Sequence, residues 1–291
     1  MNSKKPLISI IIASFNSGQT LEHTLRSVIE QDYSHKQLIV IDGGSKDDSI
    51  SIIKKHQSDI SYWISEPDRG IAHAWNKGLA QANGEWICFL GADDVFWKAT
   101  VLTRMVPHLV NQPKNIKVVY GTLVLLSHNL DVIGIRGAPW QELKRDFIGG
   151  VMRVPHPGSM HHQSLFQERG LFNEQLKIVI DYELLLRELR HNDAYFVLDL
   201  VVVGMLDGGT SAQMKNRLTA LQEVRQARRL NGLNGWCLQN TLDWLRSFFV
   251  VIIMRTLLGQ RVTDKIRTRI RLWRLKDKLS TLKESLPHVY R

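Results

Sequence analysis

Residues 86–95 read Trp86-Ile87-Cys88-Phe89-Leu90-Gly91-Ala92-Asp93-Asp94-Val95. The apolar run stops abruptly at two adjacent carboxylates. Trp86 to Leu90 suits a buried strand, which sets Asp93 and Asp94 at its carboxyl end. In open α/β sheets ligands bind in the crevice outside that edge. Hard divalent cations take oxygen ligands, and Mg²⁺ is usually held by one or two carboxylates plus substrate phosphates. Taken alone, an Asp-Asp pair reads first as a turn capping the next helix, because Asp favours turns through local hydrogen bonds. The neighbouring segments reverse that order.

Upstream, residues 7–13 (LISIIIA) are rich in β-branched side chains and end in the turn cluster Ser14-Phe15-Asn16-Ser17-Gly18. A helical pattern starts near Thr20, with Leu21, Leu25, Val28 and Ile29 on one face. Residues 37–41 (QLIVI) form a second strand pattern, followed by Asp42-Gly43-Gly44-Ser45-Lys46-Asp47-Asp48 and a second helix carrying Ile50, Ile53 and Ile60. Strand, loop, helix, strand, loop, helix predicts βαβ units and a parallel sheet. The strands 7–13, 37–41 and 86–90 then end in polar residues on one edge and line one crevice.

Five segments carry a resemblance: SIIIASFNS (9–17), VIDGGSKDDS (40–49), SEPDRGIAHAWNKGL (65–79), GEWICFLGADD (84–94) and IDYELLLR (180–187). In this order and spacing the chain resembles inverting nucleotide-sugar glycosyltransferases of family two, over roughly residues 6–210. The similarity is nearest to the bacterial exopolysaccharide and lipid-linked oligosaccharide type. It implies a GT-A fold, a Rossmann-like, mostly parallel α/β sheet flanked by helices, and a nucleotide-diphosphate sugar as donor.

A carboxylate accepts hydrogen bonds, so Asp42 suits the imide N–H of uracil, and the resemblance implies that role. Read bare, Asp42 starts a Gly-Gly turn in which Gly43 and Gly44 permit positive φ. By the same resemblance Ala13, Ser14 and Asn16 form the floor beside the base, and Asp68, Asn76 and Lys77 belong to the nucleotide side. Glu66 precedes Pro67 and is therefore extended, and Asp68 is placed to cap the helix that follows. Arg69 or Lys77 can neutralise the diphosphate; solvated surface cations account for them equally well. His73 reads as a half-exposed helical histidine.

The metal motif departs from the family. Many relatives have Asp-X-Asp where this chain has Gly91-Ala92-Asp93, so the first carboxylate is missing. Asp93 is the expected ligand of a divalent Mn²⁺ or Mg²⁺ ion, and Asp94 either coordinates it or orients Asp93. Inversion also requires a base to take the proton of the attacking hydroxyl. The resemblance places that base at Asp181, where a helix opens with Leu184, Leu185 and Leu189 on its apolar face. Asp181 also suits a helix start for its charge alone, and Glu183 is the second candidate.

Pro155-His156-Pro157-Gly158-Ser159-Met160-His161-His162-Gln163 gives a proline-bounded loop rich in polar side chains. Clustered histidines can bind zinc. The resemblance instead sets His162 and Gln163 near acceptor or sugar. Leu206-Asp207-Gly208-Gly209-Thr210-Ser211 either folds over the diphosphate through backbone N–H groups or is an exit to the tail.

At 291 residues the chain accommodates one α/β domain, residues 1–210, and an extension, residues 211–291. Cys88 and Cys237 make no disulfide framework, which fits a reducing cytoplasm. The apolar run after the N-terminal lysines contains Ser9 and lacks a small-residue cleavage site. It reads as a strand, not a signal peptide. Residues 211–291 hold 17 Lys+Arg against 5 Asp+Glu, leaving 21 against 23 for residues 1–210, so the whole formal excess of +10 lies in the tail. That split excludes a uniformly basic nucleic-acid-binding domain, and no nucleic-acid partner is expected.

The uncharged core between Arg246 and Arg255 is eight residues, well short of the roughly 20 that span a bilayer. Leu272, Leu275, Leu279, Leu282 and Leu286 recur at helical spacing beside Arg267, Arg271, Arg274 and Lys278. Such a basic amphipathic helix suits an anionic membrane surface; packing of the leucines on the catalytic domain is the plainer reading.

These features predict an inverting glycosyltransferase that moves a sugar from a UDP-sugar to a hydroxyl of a saccharide or lipid-linked acceptor in polysaccharide biosynthesis. It would be peripheral on the inner face of the plasma membrane. The missing first carboxylate leaves a second reading, a catalytically silent sugar-nucleotide-binding or interaction protein of the same fold.

Overall fold

The computed structural model describes residues 5–207 and 216–235, together with Leu245. The β-branched runs form β1 (Ile8–Ser14) and β2 (Lys36–Asp42), joined by α1 (Leu21–Ile29). Next come α2 (Ser49–Lys55), β3 (Tyr62–Ser65), α3 (Ile71–Gln81) and β4 (Trp86–Gly91). These strands lie in the order β3-β2-β1-β4, every pair parallel. The chain first builds outward from β1 to β3, then returns to β1's other side for β4. The reversal leaves a crevice at the carboxyl ends of β1 and β4, the usual ligand position in such sheets.

Register makes that edge level. Ser14 stands opposite Asp42, Asp42 opposite Ser65, and Ala13 opposite Gly91. The period-two alternation of each strand feeds two separate cores. Ile8, Ile10, Ile12, Val40, Cys88 and Leu90 pack with α1 on one face, and Ile11, Ile39, Ile41, Ile87 and Phe89 pack with α3 on the other. Burial on both faces is what a parallel sheet requires.

The second half completes a nine-stranded sheet. It runs through β5 (Asp94–Phe96), α4 (Val101–Val110), β6 (Val118–Leu126), β7 (Val132–Arg136) and α5 (Trp140–Ile148). It continues with β8 (Met160–His162), α6 (Gln163–Arg169), α7 (Ile180–Leu189), β9 (Tyr195–Leu206) and α8 (Arg217–Leu230). β8 runs antiparallel to β4 and β6, and β9 runs parallel to β6. The predicted α/β class with a mostly parallel, helix-flanked sheet holds.

Some details differ from the sequence reading. The second helix stops at Lys55, and Ile60 is buried from the turn before β3, where Ser61 N–H donates to Leu38 O at 2.8 Å. β3 itself adds a fourth parallel strand where only an extended Glu66-Pro67 is expected. From the expected extension, α8 buries Val224 and Ala227 in the same cluster as Tyr182, Leu185 and Leu189 of α7. The apolar stretch 236–258, the leucine and arginine stripes of 267–286 and the Gly208–Ser211 part of the loop after β9 lie outside the described residues. Among the described residues no helix is long and apolar enough to cross a membrane.

Candidate active site

The β1–α1 and β2–α2 loops are stitched together at the level strand ends. Asn16 N–H donates to Ser45 Oγ at 2.8 Å, and Lys46 N–H donates to Asn16 Oδ1 at 2.9 Å. Ser17 N–H reaches Ser49 Oγ and Gly18 N–H reaches Asp47 Oδ2. Asn16 adopts φ 49°, a left-handed conformation that Asn tolerates better than most residues. Phe15, held at the tip of this loop, is 62% exposed. Gly43 lies beneath it: a Cβ there would come within 2.5 Å of Asp68 Oδ2 and 3.2 Å of Phe15 Cδ2. Phe15, Gly43 and Asp68 thus share one rim.

Asp42 is fully buried. Its carboxylate accepts from Gly44 N–H (3.1 Å), Ser45 N–H (2.9 Å), Ser45 Oγ (2.5 Å) and Ser65 Oγ (2.6 Å). In this arrangement Asp42 holds the Gly43–Ser45 turn and β3. Three of these bonds fall on Oδ2, and Oδ1 carries the single bond from Ser45 Oγ. Ala13 and Ser14 lie at the end of β1 as expected, and the buried Ser14 Oγ has no hydrogen-bond partner.

Asp93 and Asp94 sit where β4 turns into β5. Asp94 is 3% exposed; Oδ2 accepts Gly91 N–H at 2.7 Å, while Oδ1 is buried without a partner. Desolvation raises the Asp93 carboxyl above the ordinary range. Asp94 is raised further, by desolvation and then by the neighbouring Asp93 charge. The same burial, with Asp94's charge added, pushes the Cys88 thiol up, so it behaves as an inert core group. Gly91 matters sterically: a Cβ would come within 2.8 Å of Asp93 Oδ1 and 3.1 Å of Asp94 Oδ2. The absent first carboxylate therefore leaves the space into which the other two fold.

α3 contributes less directly than the sequence implies. Its N-cap is Gly70, and Asp68 Oδ1 accepts Gly70 N–H at 2.8 Å from outside the helix. Asn76 spends its amide on the chain before α7: Nδ2 donates to Phe172 O and Glu174 Oε1, and Oδ1 accepts Phe172 N–H at 3.0 Å. Lys77 pairs with Glu66 at 2.7 Å and Arg69 with Glu174 at 2.5 Å. His73 is half-buried and accepts Arg69 N–H at 3.2 Å. The structure thus ties α3 and the loop before it to residues 172–174.

That tie joins α3 and the loop before it to the chain that leads into α7. Asp181 lies in the first turn of α7, half-buried, with Oδ1 accepting Tyr182 N–H at 2.7 Å. Desolvation outweighs this bond and the attraction of Arg136, and lifts its carboxyl to about 6. Glu183 is committed elsewhere: it accepts from Arg187 Nη2 at 2.9 Å and from Asn231 Nδ2 at 3.2 Å. The ion pair with Arg187 lies within α7, the Asn231 bond fastens α7 to the end of α8, and both Glu183 oxygens are thereby engaged.

The histidines divide. His156 and His161 are buried against Phe89, with ring centroids 5.4 and 5.5 Å away. Desolvation lowers His156 well below the usual range, with His161 adding to it, and lowers His161 to about 4, so both are neutral. No cluster of three or more potential ligands forms among the described residues, so these rings make an aromatic wall. His162 and Gln163 take their position from β8. Because β8 is antiparallel to β4, His162 stands opposite Trp86 and Gln163 N–H donates to Glu85 O. Both lie at the start of β4, away from the carboxylate edge. His156 and Gly158, whose N–H donates to Phe89 O at 3.1 Å, are the members of this segment along the carboxyl half of β4.

A family model described as glycosyl transferase family 2 matches residues 9–162, more than half of the 291 residues. The chain belongs to that family. An uncharacterised glycosyltransferase of Mycobacterium tuberculosis is 34% identical over 183 residues, 62% of this chain and 68% of the relative. S. aureus TarS 1-349 in complex with UDP-GlcNAc has a similar structure, with a TM-score of 0.58 at 17% identity. The match covers 76% of this chain and 64% of that one; the longer TarS chain is covered to 39%. The mannosyltransferase PcManGT from Pyrobaculum calidifontis, in complex with GDP-Man and Mn²⁺, has a TM-score of 0.59 at 15% identity over 96% of this chain and 79% of its own. The fold is of the GT-A type.

A family 2 glycosyltransferase has to hold a nucleotide and a charged diphosphate. The matching segment contains the loops, Phe15, Asp68, Asp93 and Asp94, and it ends before Asp181. Phe15 is the residue that motif reading passed over. Its signal was present: a large aromatic inside an otherwise polar turn cluster has no core to enter.

Proposed function

We propose that this family 2 glycosyltransferase moves a sugar from a UDP-sugar to a hydroxyl of a saccharide or lipid-linked acceptor with inversion. Asp181 acts as general base. The observation that carries this is Asp181 itself, a carboxyl held near 6 at the head of α7, in a segment fastened to the β3–α3 loop. A base poised near the working pH has both the ionised population and the proton affinity the step needs. The UDP moiety of the TarS complex supports the choice of nucleotide. Ala13, Ser14 and Asn16 form the floor of the base pocket, Phe15 stacks on the base, and Asp68 lies at its edge. Asp42 acts by shaping the Gly43–Ser45 turn.

Asp93 and Asp94 fit a hard divalent cation. They are adjacent oxygen donors, one oxygen is buried without a partner, and both resist ionisation while no positive charge is near. With two carboxylates only, the donor diphosphate completes the coordination. A bound Mn²⁺ or Mg²⁺ would offset the charge gathering on the leaving diphosphate. The chain's own residues set the donor against the strand ends, and Asp181 takes the acceptor proton as the new bond forms.

The test is a transfer assay with UDP-glucose, UDP-galactose and UDP-N-acetylglucosamine, with Mn²⁺ and short saccharide acceptors. NMR assigns the anomer of the product. An inverted product from a UDP-sugar supports the reading. A retained anomer, or turnover confined to GDP-sugars, overturns it.

A further inference from the structure

The helix that bears Asp181 begins from a stretch of backbone held by a carboxylate distant in sequence. Glu223 of α8 is 7% exposed. Its Oε1 accepts Lys177 N–H at 2.8 Å, and its Oε2 accepts Ile178 N–H at 2.8 Å and Val179 N–H at 3.1 Å. Helix starts leave several N–H groups without intrahelical partners. Here two carboxylates share the amides around the start: Glu223 takes residues 177–179, and Asp181 takes Tyr182 N–H. Bonds from N–H to an ionised carboxylate are short and about twice as strong as neutral ones.

Glu223 is itself fixed. Val224 and Ala227 beside it are buried with α7. Asn231 bonds Glu183 at 3.2 Å, and Arg228 donates to Asn234 O at 2.8 Å and to Ile148 O. The segment 172–179 is therefore clamped at both ends, by Asn76 and Arg69 at residues 172–174 and by Glu223 at residues 177–179. Asp181 follows two residues later.

We infer that Glu223 is a positioning residue for Asp181, acting through the 177–179 backbone. This rests on the base reading of Asp181. A carboxylate displaced by about 1 Å from a reacting hydroxyl can cost on the order of 100-fold in rate. The charged group that acts on Asp181 is Arg136 from β7. Glu223 keeps its oxygens on amides, so its action on Asp181 is geometric.

The experiment uses the full-length chain and three variants: Glu223→Gln, Glu223→Asp and Asp181→Asn. Glutamine removes the charge and sets an amide NH2 donor against an N–H. Aspartate keeps the charge on a stem too short to reach all three amides. Turnover of the three UDP-sugars is measured with Mn²⁺, and Asp181 is titrated by carboxyl ¹³C NMR, assigned with Asp181→Asn. Positioning predicts that both Glu223 variants lose about 10–100-fold in kcat with donor KM within threefold. It also predicts that the Asp181 midpoint falls from about 6 towards the ordinary range, as the loosened segment admits water.

A midpoint and kcat unchanged in both variants overturn the inference. A shift in Glu223→Gln alone also overturns it, because a through-space charge effect then suffices. If Glu223→Gln does not fold, Glu223→Asp decides by the same two readouts. Full turnover in Asp181→Asn instead removes the base reading, and with it the catalytic meaning of Glu223 even where the midpoint moves.

Discussion

A carboxyl lifted to about 6 makes stability and activity run in opposite directions with pH. The folded state keeps a proton on Asp181 between about 4 and 6, where an unfolded aspartate has already lost its own. Its contribution to stability therefore falls as pH rises through that window. Activity needs the ionised form, so kcat/KM should rise through the same window, with an acid limb near 6. Asp181→Asn should lower kcat by about 10²–10⁴-fold with donor affinity nearly unchanged. Near-normal turnover in that variant would end the assignment. The adjacent carboxyls of Asp93 and Asp94 behave likewise. Asp94→Asn removes one of two crowded carboxylates that burial raises, and should raise the melting temperature of the metal-free protein at pH values where both would otherwise have to ionise. Asp93→Ala should abolish the thermal stabilisation by Mn²⁺ and the metal dependence of transfer; intact Mn²⁺ stabilisation would take Asp93 out of the site.

Elements were legible where pattern and burial agree. β1, β2 and β4 are β-branched or apolar runs closed by polar residues, and the level edge of Ser14, Asp42 and Gly91 follows from their endings. β3 was illegible because its four residues are all half-buried, so neither alternation nor a continuous apolar run marks it. The resemblance sets His162 and Gln163 near acceptor or sugar, but motif order carries no strand direction, and the antiparallel β8 that puts His162 opposite Trp86 was not legible from it. Glu223 escaped because its partners lie 44–46 residues away. The α3 link yields its own prediction. Asn76→Ala leaves Phe172 N–H and O without their partner, at about 1–3 kcal/mol for each group that stays unpaired and buried. Differential scanning calorimetry should show a lower melting temperature, and kcat should fall more than UDP affinity. Lost UDP affinity at unchanged stability would instead return Asn76 to the nucleotide side.

The whole molecule is divided by charge, with 17 Lys+Arg against 5 Asp+Glu in residues 211–291. The boundary that matters for folding falls later than 210, because α8 buries Val224 and Ala227 beside α7 and supplies Glu223. Two truncations should therefore part company. Residues 1–235 retain α8 and should bind UDP with near-full-length affinity. Residues 1–210 leave the α7 face uncovered and three amides without their carboxylate, and should unfold at markedly lower temperature. Membrane affinity should follow the other division. Each Lys or Arg close to an anionic surface contributes on the order of 1 kcal/mol, so the basic excess after residue 235 can hold the protein on such a surface at low salt. Full-length protein should sediment with phosphatidylserine-containing vesicles and leave them as salt rises. Residues 1–235 should stay in the supernatant at every salt concentration. Sedimentation of 1–235 equal to that of the full chain would place the membrane contact on the catalytic body. A full-length chain that never sediments would make the tail a packing or self-association element.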